Sequence, residues 1–138
     1  MTQDQLIRDV LVSVKTIALV GWSPKPERAS HRVANYLTQC GYRVIPVNPG
    51  QVGVIVNGEP VRGALSDITE GVDMVDIFRN SAEAGGVVDA ALAAFPDLRA
   101  VWMQLGVIDA EAAARAQAAG VVAIMDRCPA IEIPRLGL

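Results

Sequence analysis

Thr16-Ile17-Ala18-Leu19-Val20-Gly21-Trp22-Ser23-Pro24-Lys25-Pro26 sets the frame in which the rest of the chain is read. Thr16–Val20 is an aliphatic run without polar alternation, the pattern of a strand buried on both faces. Gly21 stops it, and two prolines then keep the backbone out of regular structure. A helix follows, with Ser30 as its candidate cap, Val33, Tyr36 and Leu37 on one face, and Gly41 ending it after Cys40. Arg43-Val44-Ile45-Pro46-Val47 reads as the second strand, although Pro46 lacks the donor that an interior strand needs and so points to an edge or a bulge. A strand, a glycine turn, a helix and a second strand open a parallel α/β sheet.

The flanking sequence continues the alternation. Leu6, Ile7, Val10, Leu11 and Val14 recur at helical spacing, so residues 1–15 form an amphipathic N-terminal helix. Residues 74–78, 100–104 and 121–125 are further aliphatic strands. Between them, Ser81 is the candidate cap of a helix reaching about Phe95, and Asp109, with Glu111 in the first turn, opens an Ala-rich helix that stops at Gly120. The glycine-bearing stretch 50–71 reads as a loop with one or two short extended pieces and a helical turn near Leu65–Ile68. Residues 127–138 read as an irregular tail. The expectation is one α/β domain over 1–138, with a mostly parallel sheet of about five strands and helices on both faces, joined by right-handed crossovers.

Composition agrees. The 138 residues suit one domain, and 51% hydrophobic with 20% charged residues is a globular balance. Only 4% are aromatic, so aliphatic side chains must fill the core. A net charge of −3 argues against a general nucleic-acid binder. Yet residues 21–43 carry Lys25, Arg28, Arg32 and Arg43 against Glu27 alone, a local basic segment that suits a compact anionic ligand. The N-terminus shows no basic region followed by an apolar stretch, and no apolar run approaches the roughly 18 residues of a membrane span. A cytoplasmic protein without membrane partners is expected. Cys40 and Cys128 make neither a disulfide framework nor a metal-ligand spacing, so no metal site is expected.

Open parallel sheets bind ligands beyond the carboxyl ends of their strands, where strand order reverses. The first loop, Gly21-Trp22-Ser23-Pro24, is the leading candidate. Gly21 admits a close backbone approach, and the following helix start offers free N–H groups and a positive dipole end to a phosphate. Ser23 and Ser30 can add hydroxyls, and Lys25, Arg28 and Arg32 can add charge. The glycine fingerprint of dinucleotide sites is absent. After the second strand, Asn48, followed by Pro49, stands where an NAD site would place a carboxylate on the ribose. Asn48 can donate to a phosphorylated ribose, which leaves coenzyme A and NADP equally open on residue chemistry alone.

Ile17-Ala18-Leu19-Val20-Gly21, Arg28-Ala29-Ser30-His31-Arg32-Val33-Ala34 and Tyr42–Pro49 resemble the small bacterial and archaeal CoA-binding proteins. So do Val75-Asp76-Ile77-Phe78-Arg79, Trp102-Met103-Gln104-Leu105-Gly106 and Met125-Asp126-Arg127-Cys128-Pro129. The resemblance runs from about Leu6 to Pro134. It implies a three-layer Rossmann-like fold, similar to the N-terminal domain of the succinyl-CoA synthetase α subunit. It also implies coenzyme A as ligand, with the pyrophosphate at the first loop and the adenosine facing the turn after the second strand. The same resemblance puts Phe78, Arg79, Gln104 and Gly106 along the groove. Trp22 departs from it, being bulkier than the residue expected beside a pyrophosphate.

Catalysis finds little support in these residues. His31, the single histidine, reads as a helix-start or ligand-contact residue. Arg127 could lower the pKa of Cys128, but no base is evident to activate the thiol. Asp76, inside a strand, could pair with Arg79 or cap a loop. The expected function is a stand-alone, non-catalytic module for coenzyme A or an acyl-CoA. An enzyme or enzyme subunit of acyl-CoA chemistry and a nicotinamide-nucleotide regulator stay open as alternatives, as do a partner enzyme or a homo-oligomer.

Overall fold

The computed structural model describes all residues, Met1–Leu138. Five parallel strands make the main sheet: β1 (Thr16–Val20), β2 (Arg43–Val47), β5 (Met74–Ile77), β6 (Ala100–Met103) and β7 (Val122–Ile124), in the order β2-β1-β5-β6-β7. A short antiparallel ribbon, β3 (Ile55–Val56) with β4 (Glu59–Pro60), and a 3-10 turn at Leu65–Asp67 lie between β2 and β5. The extended pieces and helical turn expected in 50–71 are therefore present.

The helices are α1 (Gln3–Ser13), α2 (Ala29–Gln39), α3 (Ser81–Ala94), α4 (Ala110–Ala118) and α5 (Pro129–Arg135). Hydrophobic residues of α1, α2 and α5 cover one face of the sheet, where Ile7, Leu11, Val33, Leu37 and Ile133 pack on Ile17, Leu19, Met74 and Trp102. Those of α3 and α4 cover the other, where Ala84, Val88, Ala112 and Ala116 meet Ala18, Val75, Val101 and Met103. Both faces of the sheet are thus closed, which is why its strands carry no polar alternation. No helix is long and apolar enough to cross a membrane.

Pro46 fits because β2 is an edge strand. The Arg43 N–H donates to Lys15 O on the β1 side, and the alternation along the strand turns the Pro46 nitrogen outward, where no ladder bond is lost. The outward Pro46 carbonyl accepts from Arg62 N–H at 3.0 Å.

Several boundaries differ from the sequence expectation. Residues 127–138 are not irregular: Pro129 occupies the first turn of α5, where its missing N–H costs nothing. The C-terminal segment is tied back onto α1 by Arg135 to Asp4 at 2.7 Å and by Arg8 to the Leu136 carbonyl at 2.9 Å. Ser30 does not cap α2; Arg28 is the N-cap residue, with no side-chain bond, and Ser30 is buried two residues later in the first turn. Asn80, and not Ser81, caps α3, its Oδ1 accepting from Glu83 N–H at 3.0 Å. Ser81 instead links Gly106 O and Ile108 N across the β6–α4 loop. Asp109 caps α4 as expected.

Candidate functional site

Chain order turns at β1: the crossover through α2 leads to β2 on one side, and β5 pairs on the other. The crevice over the carboxyl ends of β1 and β5 is the place where such sheets hold ligands. Gly21 follows β1 there and Phe78 follows β5. Gly21 has φ +92°, and a Cβ at this position would lie 3.2 Å from the Phe78 main chain and 3.3 Å from Arg79 Cδ. Only glycine fits this turn.

Two recesses meet at Gly21. One, of about 310 Å³, is lined by Gly21, Ser23, Lys25, Arg28, Ala29, Ser30 and Phe78. The N–H groups of Ala29 and Ser30, in the first turn of α2, have no acceptor within the protein. Two backbone donors, two hydroxyls and two basic side chains thus share one hollow at a helix N-terminus, the chemistry of an anion site. The other recess, of about 320 Å³, lies between the ends of β1 and β2, the turn at Gly63-Ala64-Leu65 and one face of α3. Val20, Val47, Pro49, Leu65, Val87 and Ala90 make it largely apolar, and Arg79 and Glu83 are its charged groups.

Of the residues singled out in sequence, Gly21, Ser23, Lys25, Arg28, Ser30 and Phe78 thus come together in the first recess, and Gly21, Pro49 and Arg79 in the second. The others hold the loop or lie apart from it. Trp22 turns inward, 3% exposed, and stacks on His31 with ring centroids 5.7 Å apart. Its bulk therefore enters the core. His31 Nδ1 pairs with the Ser23 carbonyl at 3.0 Å. Pro24 is exposed at the loop crest and lines neither recess. The guanidinium of Arg32 bends back to the Glu27 carbonyl. Arg43, counted in the basic segment, sits at the amino end of β2, paired with Glu59 and Glu70 at 2.6 Å each. The charge that reaches the loop recess is that of Lys25 and Arg28.

Asn48 Nδ2 donates to the Trp22 carbonyl at 2.7 Å, and its Oδ1 accepts from Gly50 N–H at 2.8 Å. Gln104 is buried and reaches Asp76 Oδ2 at 3.4 Å and Cys128 Sγ at 3.8 Å. Gly106, with φ +80°, gives its N–H to Asp126 Oδ1 at 2.7 Å. Asp76 is fully buried and meets Gln104, not Arg79; burial pushes its carboxyl well above the usual range, against the lowering effect of Gln104. Arg127 does not activate Cys128, because it pairs with Glu132 at 3.1 Å. Burial foremost pushes the Cys128 thiol up, with the nearby Asp76 carboxyl adding to the shift.

Sequence reasoning missed the second recess's far wall: Gly63, Ala64 and Leu65 from the glycine-bearing stretch, and Glu83, Gly86, Val87 and Ala90 from α3. Gly86, Val87 and Ala90 follow Glu83 by three, four and seven residues, the spacing of one helix face, and small Gly86 and Ala90 on it leave room. That spacing was the available signal.

A family model described as a CoA binding domain matches residues 15–134. The protein YneT of Bacillus subtilis (strain 168) is 34% identical over 122 residues, 88% of this chain and 87% of that one. A hypothetical protein from Pyrococcus horikoshii OT3 superposes with a TM-score of 0.90 at 35% identity, covering 99% of this chain and 94% of the other. A dinucleotide-forming acetyl-coenzyme A synthetase 1 from Ca. Korarchaeum cryptofilum matches with a TM-score of 0.71 at 23% identity. The match covers 88% of this chain but 27% of that enzyme, and it is a likeness of fold alone.

Proposed function

The chain belongs to the family of CoA-binding domains, and from that premise we propose that it binds coenzyme A or an acyl-CoA across the ends of β1, β2 and β5. The pyrophosphate takes the basic recess, against the free N–H groups of Ala29 and Ser30 with Lys25 and Arg28 beside it. The adenosine takes the apolar recess between Val47, Pro49, Leu65 and Val87. The observation that carries this reading is the shared residue Gly21. It joins a cationic hollow at a helix N-terminus to an apolar one, and a nucleotide needs that sequence of environments.

We assign the domain no reaction of its own. The Cys128 thiol is buried and raised in pKa, and the adjacent Asp76 is held in the interior. Neither lines the groove.

Calorimetric titration with coenzyme A, dephospho-CoA, NADP and NAD tests the proposal. Coenzyme A should bind most tightly. NAD binding as tight as that of coenzyme A would overturn it.

A further inference from the structure

We propose that Arg79 and Glu83 act together as the element that selects a phosphorylated ribose, an inference that rests on the nucleotide reading above. The stem of Arg79 lies over Gly21, since a Cβ on that glycine would come within 3.3 Å of Arg79 Cδ. That stem therefore lies beside the residue the two recesses share, and the guanidinium turns to Glu83 on the wall of the apolar one. In the apolar recess Arg79 and Glu83 are the only charged lining groups. Glu83, in the first turn of α3, accepts from Arg79 Nε and forms an ion pair with its Nη2. Both side chains are close to half exposed, at 46% and 45%, so the pair is open to exchange with a ligand.

The charges give a rule of choice. A lone guanidinium here would attract any anion, and a lone carboxylate would repel phosphate and accept ribose hydroxyls. The closed pair is neutral, so an incoming group must outcompete a carboxylate for Arg79. A phosphate monoester, with close to two negative charges and three acceptor oxygens, does so, and a ribose hydroxyl does not. Glu83 thus keeps Arg79 from nucleotides that lack a phosphate on the ribose, and yields it to those that carry one.

Coenzyme A and dephospho-CoA differ by that phosphate alone, so titrating both into wild type, Arg79→Gln and Glu83→Gln isolates the pair. Removing Arg79 should weaken coenzyme A by about tenfold, the loss of one charge-assisted contact, and leave dephospho-CoA no weaker, because the lone Glu83 carboxylate can accept its ribose hydroxyls. Removing the Glu83 charge frees Arg79 for any anion, so it should tighten coenzyme A and dephospho-CoA alike, by about three- to tenfold, and should not raise the preference for coenzyme A. Retained dephospho-CoA binding in Arg79→Gln and tightened binding in Glu83→Gln also show that each variant is folded. Equal loss of both ligands in Arg79→Gln would overturn the inference, as would weaker or unchanged coenzyme A binding in Glu83→Gln. A wild-type protein that bound neither ligand would instead remove the nucleotide reading itself, and this inference with it.

Discussion

Asn48 holds the carbonyl of Trp22 with its side-chain amide at 2.7 Å, and so joins the end of β2 to the first loop. The Gly21 and Trp22 N–H groups both reach the Val47 carbonyl, at 3.0 and 3.3 Å, which makes the junction a three-bond clamp. A carboxylate at position 48 would face the Trp22 carbonyl with no proton to give. Asn48→Asp should therefore lower unfolding free energy by about 1–3 kcal/mol, the cost of leaving a part-buried carbonyl unmatched. It should also weaken coenzyme A and dephospho-CoA to a similar degree, because the loop loses its support. Urea midpoints and the two affinities check this. An unchanged midpoint with loss of coenzyme A binding alone would mean that Asn48 acts on the ribose phosphate instead.

Arg28 and Arg32, four residues apart, should differ in their effect on binding. Arg28 lines the loop recess, whereas the guanidinium of Arg32 is turned away to the Glu27 carbonyl. Arg28→Glu should weaken coenzyme A by at least about tenfold at low salt, and the loss should shrink as salt rises. Arg32→Glu should change affinity by less than about threefold, since an exposed charge outside the recess acts only through screened solvent. Similar losses in the two variants would place Arg32 in the site after all.

The sheet was legible because its residues are constrained from both faces. Thr16–Val20 and Arg43–Val47 match their expected bounds, and a strand packed on two layers of helices can carry little but aliphatic side chains. The loop that lines the basic recess was legible for a related reason: Gly21 at a strand end and a basic helix start are local features. What escaped depended on contacts distant in sequence. Residues Gly63–Leu65 and the Glu83–Ala90 face become one recess only when α3 docks beside the turn at 65–67. α5, read as an irregular tail, is a short helix with Pro129 and Pro134 in it, and it is held in place by the Arg135–Asp4 pair to α1, a contact distant in sequence. Charge counting also overstated the site, because Arg43 has carboxylate partners at positions 59 and 70 that proximity in sequence does not reveal.

The two thiols should separate by rate. Cys40 is exposed beyond the end of α2, while Cys128 is 8% exposed and its pKa is raised by burial. Thiolate is the reactive form, so an aromatic disulfide reagent at pH 8 should titrate one thiol quickly and the other at least about tenfold more slowly. Cys40→Ser should remove the fast phase and Cys128→Ser the slow one. A fast phase that disappears in Cys128→Ser would point to an activated thiol and reopen the question of chemistry at this site.

Asp76 gives a pH dependence whose direction follows from its burial. Its carboxyl is fully buried between Leu19 and Trp102 in the sheet register, with Oδ1 unpartnered, and its folded-state pKa lies well above the usual 3.8. Above that usual value the unfolded chain releases this proton while the folded chain retains it. Stability from this group is therefore complete at acid pH and declines as pH rises toward the folded pKa, by up to about 1.4 kcal/mol per pH unit for one proton. Other carboxylates work in the opposite direction: Arg43 and Arg135 hold Glu59 and Asp4 below their usual values, so those pairs strengthen as pH rises through the acid range. The difference between wild type and Asp76→Asn removes that background. The neutral amide can still accept from Gln104 and carries no charge to bury. Urea unfolding at pH 4 to 8 should show the variant gaining on wild type as pH rises from 4 until the folded pKa is passed, and exceeding it by about 1 kcal/mol or more at pH 8. Parallel profiles for the two proteins would show that Asp76 is ionised in the fold across the whole range.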